Sequence, residues 1–225
     1  MYLFINHYLR PLIGGVAMSV AKEGDFIEPE NAAVGDILVL TKPLGTQVAV
    51  NVNEWILYNG PNWVDKASKV ISEEEALRGY DAAMRSMARL NKTGAKLMHT
   101  YKAHGATDVT GTLYTQHNTQ YTTHIHQGFG YLGHANNLAY HQKAKVDFVL
   151  EVLPIIKGMK TIDDAIPGRF NLQKGFSSET SGGLLVCLPS LEAAEGFCRD
   201  IEKIDGAPAW IVGRVVEGNN KARIA

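Results

Sequence analysis

A chain of 225 residues with 45% hydrophobic and 20% charged side chains can bury one substantial core and part of another, as ordinary globular proteins do. Its formal net charge of -1 gives no support for nucleic acid or an anionic membrane as partner. No stretch approaches the ~20 apolar residues that span a bilayer.

Cysteine usage points the same way. Cys187 and Cys198 are the two cysteines, without metal-ligand spacing, and they read as buried structural thiols in a reducing, cytoplasmic setting. The apolar start, Met1–Ile5, carries neither a basic leader nor a small-residue cleavage site, so no signal peptide is expected.

In chain order, Gly14 and Gly15 precede a short apolar run, and a polar, Pro-containing stretch follows to Gly35. Residues 36–41 (DILVLT) read as a buried strand that Lys42-Pro43-Leu44-Gly45 ends, since proline donates no ladder bond and glycine allows the turn. Thr46 then reads as the N-cap of a helix running toward Trp55. Ser72 and Glu75 have the spacing of a capping box, and Ala76, Tyr80, Ala83, Met87 and Leu90 recur at steps of four and three as one apolar face. A break near Asn91–Gly94 leads to a second helical piece ending around His99.

Further on, helices are expected at 133–141, near Thr161 and at 190–204. Strands are expected at 146–153, 183–188 and 209–216, with a last short one at 222–224. Strands alternating with helices predict a layered α/β (α+β) sandwich in which a sheet packs against helices. The pattern leaves parallel and antiparallel pairing open.

One tract stands apart. Thr112–Gln127 (TLYTQHNTQYTTHIHQ) holds five Thr, three His, three Gln and two Tyr and no acidic residue. It has no helical apolar period, and polar-biased tracts of this kind rarely fold by themselves. His117, His124 and His126 are not expected to bind metal, because neither Cys nor carboxylate accompanies them.

Two places offer chemistry. Gly105-Ala-Thr-Asp-Val-Thr-Gly111 reads as a short loop in which Asp108 is flanked by hydroxyls and glycine. Such a carboxylate suits Mg²⁺, which takes few protein ligands and completes its shell with water and phosphate. On the residues alone, a plain turn with Asp108 bonded to local backbone is the favoured reading. Glu179-Thr-Ser-Gly-Gly183, ahead of an apolar strand, permits close backbone approach or an anion-binding turn. The chain contains no GxxxxGK[ST] loop.

The segments Gly35-Asp-Ile-Leu-Val-Leu-Thr-Lys-Pro-Leu-Gly-Thr46, Met87-Ala-Arg-Leu-Asn-Lys-Thr93, Leu97-Met-His99, Ala106-Thr-Asp-Val-Thr110, Gly128-Phe-Gly-Tyr-Leu-Gly-His-Ala135 and Glu179-Thr-Ser-Gly-Gly-Leu-Leu185 follow one another in this order. Together they resemble the carboxy-terminal part of selenophosphate synthetases of the animal type, from about Leu12 to Ile224. The Thr-Ser-Gly-Gly-Leu piece is shared with the wider aminoimidazole ribonucleotide synthetase superfamily.

The resemblance implies that residues 35–225 form the carboxy-terminal, synthetase-like domain, interrupted at 112–127, and that residues 1–34 are a remnant of an ATP-binding domain. It implies an ATP-dependent phosphorylation of selenide to selenophosphate, releasing AMP and phosphate. ATP and selenide are then the small-molecule partners, Mg²⁺ the cofactor and a homodimer the assembly, and Asp108 matches a metal-binding aspartate.

The resemblance also implies departures. The glycine-rich segment with its Cys or Sec, its Lys and the other metal-binding aspartates lie in the family's amino-terminal part, so this chain alone is expected to be inactive. A non-catalytic paralogue acting through binding is the alternative. Excising residues 111–127 restores Thr-Asp-Val-Thr-Gly-Phe-Gly, which suggests that the tract is translated non-coding sequence such as a retained intron. A genuine loop predicts the tract in essentially all mature transcripts, and sequencing across the Gly111–Gly128 junction decides between the two.

Overall fold

The computed structural model describes residues 18, 20–22, 24–111 and 130–225. The tract 112–127, its three histidines and most of the stretch before Pro29 lie outside the described residues. Six strands form one sheet in the order β2-β4-β1-β5-β3-β6: β1 (Ile37–Leu40), β2 (Gly105–Asp108), β3 (Val146–Leu150), β4 (Leu184–Leu188), β5 (Trp210–Glu217) and β6 (Ala222–Ile224). Pairing is antiparallel throughout except between β3 and β6. The sheet is therefore mixed, and the pairing left open by the sequence is settled.

Side chains alternate along the strands and sort the core into two layers. Leu38, Leu40, Leu185, Cys187, Phe148 and Leu150 face the larger core. It is completed by α1 (Thr46–Leu57), α2 (Pro61–Val64), α3 (Glu73–Ala88), α5 (Gly130–Tyr140) and α6 (Met159–Ala165). On the opposite face Val39, Val186 and Leu188 meet Leu97, Met98, Phe197 and Ile201, carried by α4 (Lys92–Thr100) and α7 (Leu191–Asp205). The protein is a helix–sheet–helix sandwich.

Several expected elements differ in detail. Half of the capping box forms: Glu75 N donates to Ser72 Oγ at 3.3 Å, while Glu75 Oε2 accepts from the Ser72 hydroxyl at 3.1 Å. Ala76 and Ala83 are fully buried, whereas Leu90 is 72% exposed, because α3 ends at Ala88 before the periodic face reaches it. Gly94 does not break a helix: it lies in the first turn of α4, where a Cβ would sit 3.3 Å from Leu184 Cδ1, so its small size lets α4 approach the sheet. The loop expected at 105–111 begins as an edge strand, β2, laid against β4 with Asp108 opposite Leu184.

The segment entering the domain is firmly held. Gln142 Oε1 accepts from Ala32 N at 2.7 Å, and its Nε2 donates to Pro29 O at 2.7 Å. Pro29 lies so close to β2 that a Cβ on Gly105 would stand 2.5 Å from the Pro29 carbonyl oxygen. The two described ends around the tract are also adjacent: Gly130 N donates to Thr110 O at 3.3 Å. With residues 111–127 excised, Gly130 would follow Thr110 by three positions.

Candidate metal and phosphate site

Asp108 is the last residue of β2, at the sheet end where β1 finishes and β4 and β5 begin. Its side chain is 56% exposed. One carboxylate oxygen, Oδ2, accepts from Thr110 Oγ1 at 2.9 Å. Beside it opens a cavity of about 390 Å³ lined by Pro29, Ala106, Thr107, Asn137, Leu138 and His141.

The backbone after Asp108 is held from two directions. On the sheet side, Val109 N donates to Gly183 O at 2.8 Å and Gly111 N to Glu179 O at 2.9 Å. On the helix side, His134 of α5 places its Nε2 2.7 Å from Thr110 O and its Nδ1 3.9 Å from Asp108 Oδ1. The carboxylate thus stands exposed on a backbone that is bonded from both sides.

Glu179-Thr-Ser-Gly-Gly183 builds that support by close backbone approach. A Cβ on Gly182 would overlap the Val109 carbonyl oxygen, and one on Gly183 would lie 2.6 Å from Lys42 N. The Glu179 carboxylate is buried and accepts from Gly45 N and Thr46 N at 2.8 Å and from Thr46 Oγ1 at 2.6 Å. Burial pushes its pKa up while these three bonds pull it back. Glu179 therefore supplies the accepting group at the amino end of α1. The expected cap, Thr46, is instead the first helical residue, with Gly45 at the cap position making no side-chain cap bond.

A second tie crosses the same region. The Lys42 ammonium is buried and donates to Arg89 O at 2.6 Å and Ser181 O at 2.7 Å. Burial first, then the neighbouring Arg89, hold its pKa down to about 8. Arg89 in turn donates to Thr41 O at 2.5 Å, and Asn91 Nδ2 to Gly182 O at 2.9 Å. Three segments far apart in sequence, 41–46, 89–91 and 179–183, are one knot behind Asp108. Neither Lys42 nor Arg89 stood out in the sequence, because a buried lysine announces itself only through partners distant along the chain.

The thiols take no part. Burial pushes Cys187 well above the ordinary thiol range, and burial with nearby Glu202 pushes Cys198 up to about 11, so neither is a thiolate at neutral pH. Among the described residues no group of three or more His, Cys, Asp and Glu side chains could hold a metal ion. A single exposed carboxylate with one uncommitted oxygen still fits Mg²⁺ as one ligand among several supplied by phosphate, water or other residues.

Residues 128–225 match the family model described as AIR synthase related protein, C-terminal domain. The chain is 50% identical over 216 residues to selenide, water dikinase 2 of Mus musculus, an alignment covering 95% of this chain and 43% of that protein. It thus spans about half the length of the curated relatives it matches. In fold it is similar to thiamine-monophosphate kinase from Stenotrophomonas maltophilia K279a, with a TM-score of 0.58 and 13% identity over 91% of this chain and 54% of that one. It is likewise similar to hydrogenase maturation protein HypE in complex with ATP, with a TM-score of 0.57 and 14% identity over 88% of this chain and 49% of that one.

Proposed function

This chain matches the carboxy-terminal part of the selenide, water dikinases, and from that premise we propose that it is the carboxy-terminal domain of a selenophosphate synthetase. The reaction is the ATP-dependent phosphorylation of selenide, which yields selenophosphate, AMP and phosphate for selenocysteine synthesis, in the cytoplasm and in a homodimer. The observation that carries the reading is the Asp108 carboxylate, exposed at the sheet rim and braced by the knot of 41–46, 89–91 and 179–183.

Phosphoryl transfer asks a protein chiefly for positioning and for neutralisation of charge on the transferring group. Mg²⁺ held in part by Asp108 would supply that neutralisation when bound. What this chain's own residues do is fix the carboxylate. Val109 and Gly111 pin the backbone to the 179–183 loop, Thr110 engages Oδ2, and Oδ1 is left for a cation.

Purified chain supplied with ATP, Mg²⁺ and selenide is expected to release no selenide-dependent AMP, because one carboxylate does not assemble a phosphate site. Joined to the amino-terminal part of the mouse relative ahead of Leu12, and with residues 111–127 removed, it is expected to release AMP only when selenide is present. A folded chimera without turnover would reject the proposed activity, and turnover by the chain alone would reject the division of labour.

A further inference from the structure

His134 sits on the helix side of Asp108, on α5, with its side chain only 10% exposed. Its Nε2 lies 2.7 Å from the Thr110 carbonyl oxygen and 3.3 Å from the Thr110 nitrogen. A carbonyl can only accept, so the shorter contact puts the hydrogen on Nε2, which donates to Thr110 O. The ring Nδ1 faces Asp108 Oδ1 at 3.9 Å.

We propose that His134 is a positioning residue for a divalent cation at Asp108. It holds the Thr110 carbonyl through Nε2, thereby fixing the Thr110 hydroxyl that engages Asp108 Oδ2 at 2.9 Å. Groups that orient a metal's ligands typically matter by ~10–100-fold in metal affinity. The inference rests on Asp108 being a metal ligand.

The test uses this chain joined to the amino-terminal part of the mouse relative, without residues 111–127 and with ATP bound, and Mn²⁺, an oxygen-seeking probe whose paramagnetism broadens nearby amide signals. Wild type is expected to show broadening at Val109 and Thr110 that Asp108→Asn abolishes. His134→Ala should weaken the apparent Mn²⁺ affinity about 10-fold. His134→Gln, whose amide can still donate to Thr110 O, should stay within about 3-fold of wild type. Unfolding temperatures of each variant separate lost affinity from lost structure. If His134→Ala does not fold, His134→Phe fills the volume without a donor and carries the same comparison. Wild-type affinity in a folded donor-less variant overturns the role of His134. Broadening that is absent from wild type, or untouched by Asp108→Asn, overturns the metal reading of Asp108 and the proposal with it.

Discussion

Gly182→Ala is expected to lower the unfolding temperature of the chain by at least about 10 °C or to abolish cooperative unfolding. A Cβ at this position would overlap the Val109 carbonyl oxygen and come 3.1 Å from Glu179 Cβ. Ordinary overpacking costs ~1–3 kcal/mol because side chains can shift. Here the obstacle is backbone, and that backbone is bonded on both sides, through Val109 N to Gly183 O and Gly111 N to Glu179 O. Relief requires β2 to part from β4, the loss of a whole edge strand. Gly60→Ala is the control: its Cβ would meet Trp55 at 3.5 Å, an ordinary contact, and its φ of -65° suits any residue. That change should cost no more than about 1 kcal/mol, because Gly60 caps α2, where glycine is preferred to alanine. Differential scanning calorimetry of the two variants checks the contrast, and similar unfolding temperatures would mean that the 109–111 backbone yields easily.

Elements whose signals are local were legible in the sequence. The strand at 37–40, the Ser72 cap and the helix at 191–205 all appear where propensity and period placed them. Features fixed by distant partners were not. Gly105-Ala-Thr-Asp has no β-branched run and only one buried residue, so its strand state is imposed by pairing with Leu184–Cys187. The accepting group at the amino end of α1 comes from Glu179, more than a hundred residues away, and nothing near Thr46 could reveal it.

Asp108 was legible as a candidate because a carboxylate between hydroxyls and glycine suits a hard cation. What the sequence could not supply was the reason it is held still. Lys42, Arg89 and Asn91 each donate to backbone carbonyls in segments that only the fold brings together. Glycine pairs such as Gly182-Gly183 advertise close approach, but only coordinates say that the approaching atoms are Val109 O and Lys42 N.

Asp108→Asn separates a metal ligand from a turn residue most sharply. In a chain of the relatives' full length carrying this domain without residues 111–127, the substitution is expected to reduce selenide-dependent AMP formation by at least about 100-fold. The amide keeps the size of the side chain, and its oxygen can still accept from Thr110 Oγ1. Stability should therefore change by no more than ~0.5 kcal/mol, as for other exposed positions. What the amide lacks is the negative charge that holds a hard cation, so part of the loss should be recovered at high Mg²⁺. A residue needed only for turn geometry behaves in the opposite way, since Asn adopts the same turns as Asp and would be among the best replacements. Turnover measured across a Mg²⁺ titration, alongside thermal unfolding of the same samples, distinguishes the two. Wild-type turnover at every Mg²⁺ concentration would make Asp108 a structural residue and remove the cation from this end of the sheet.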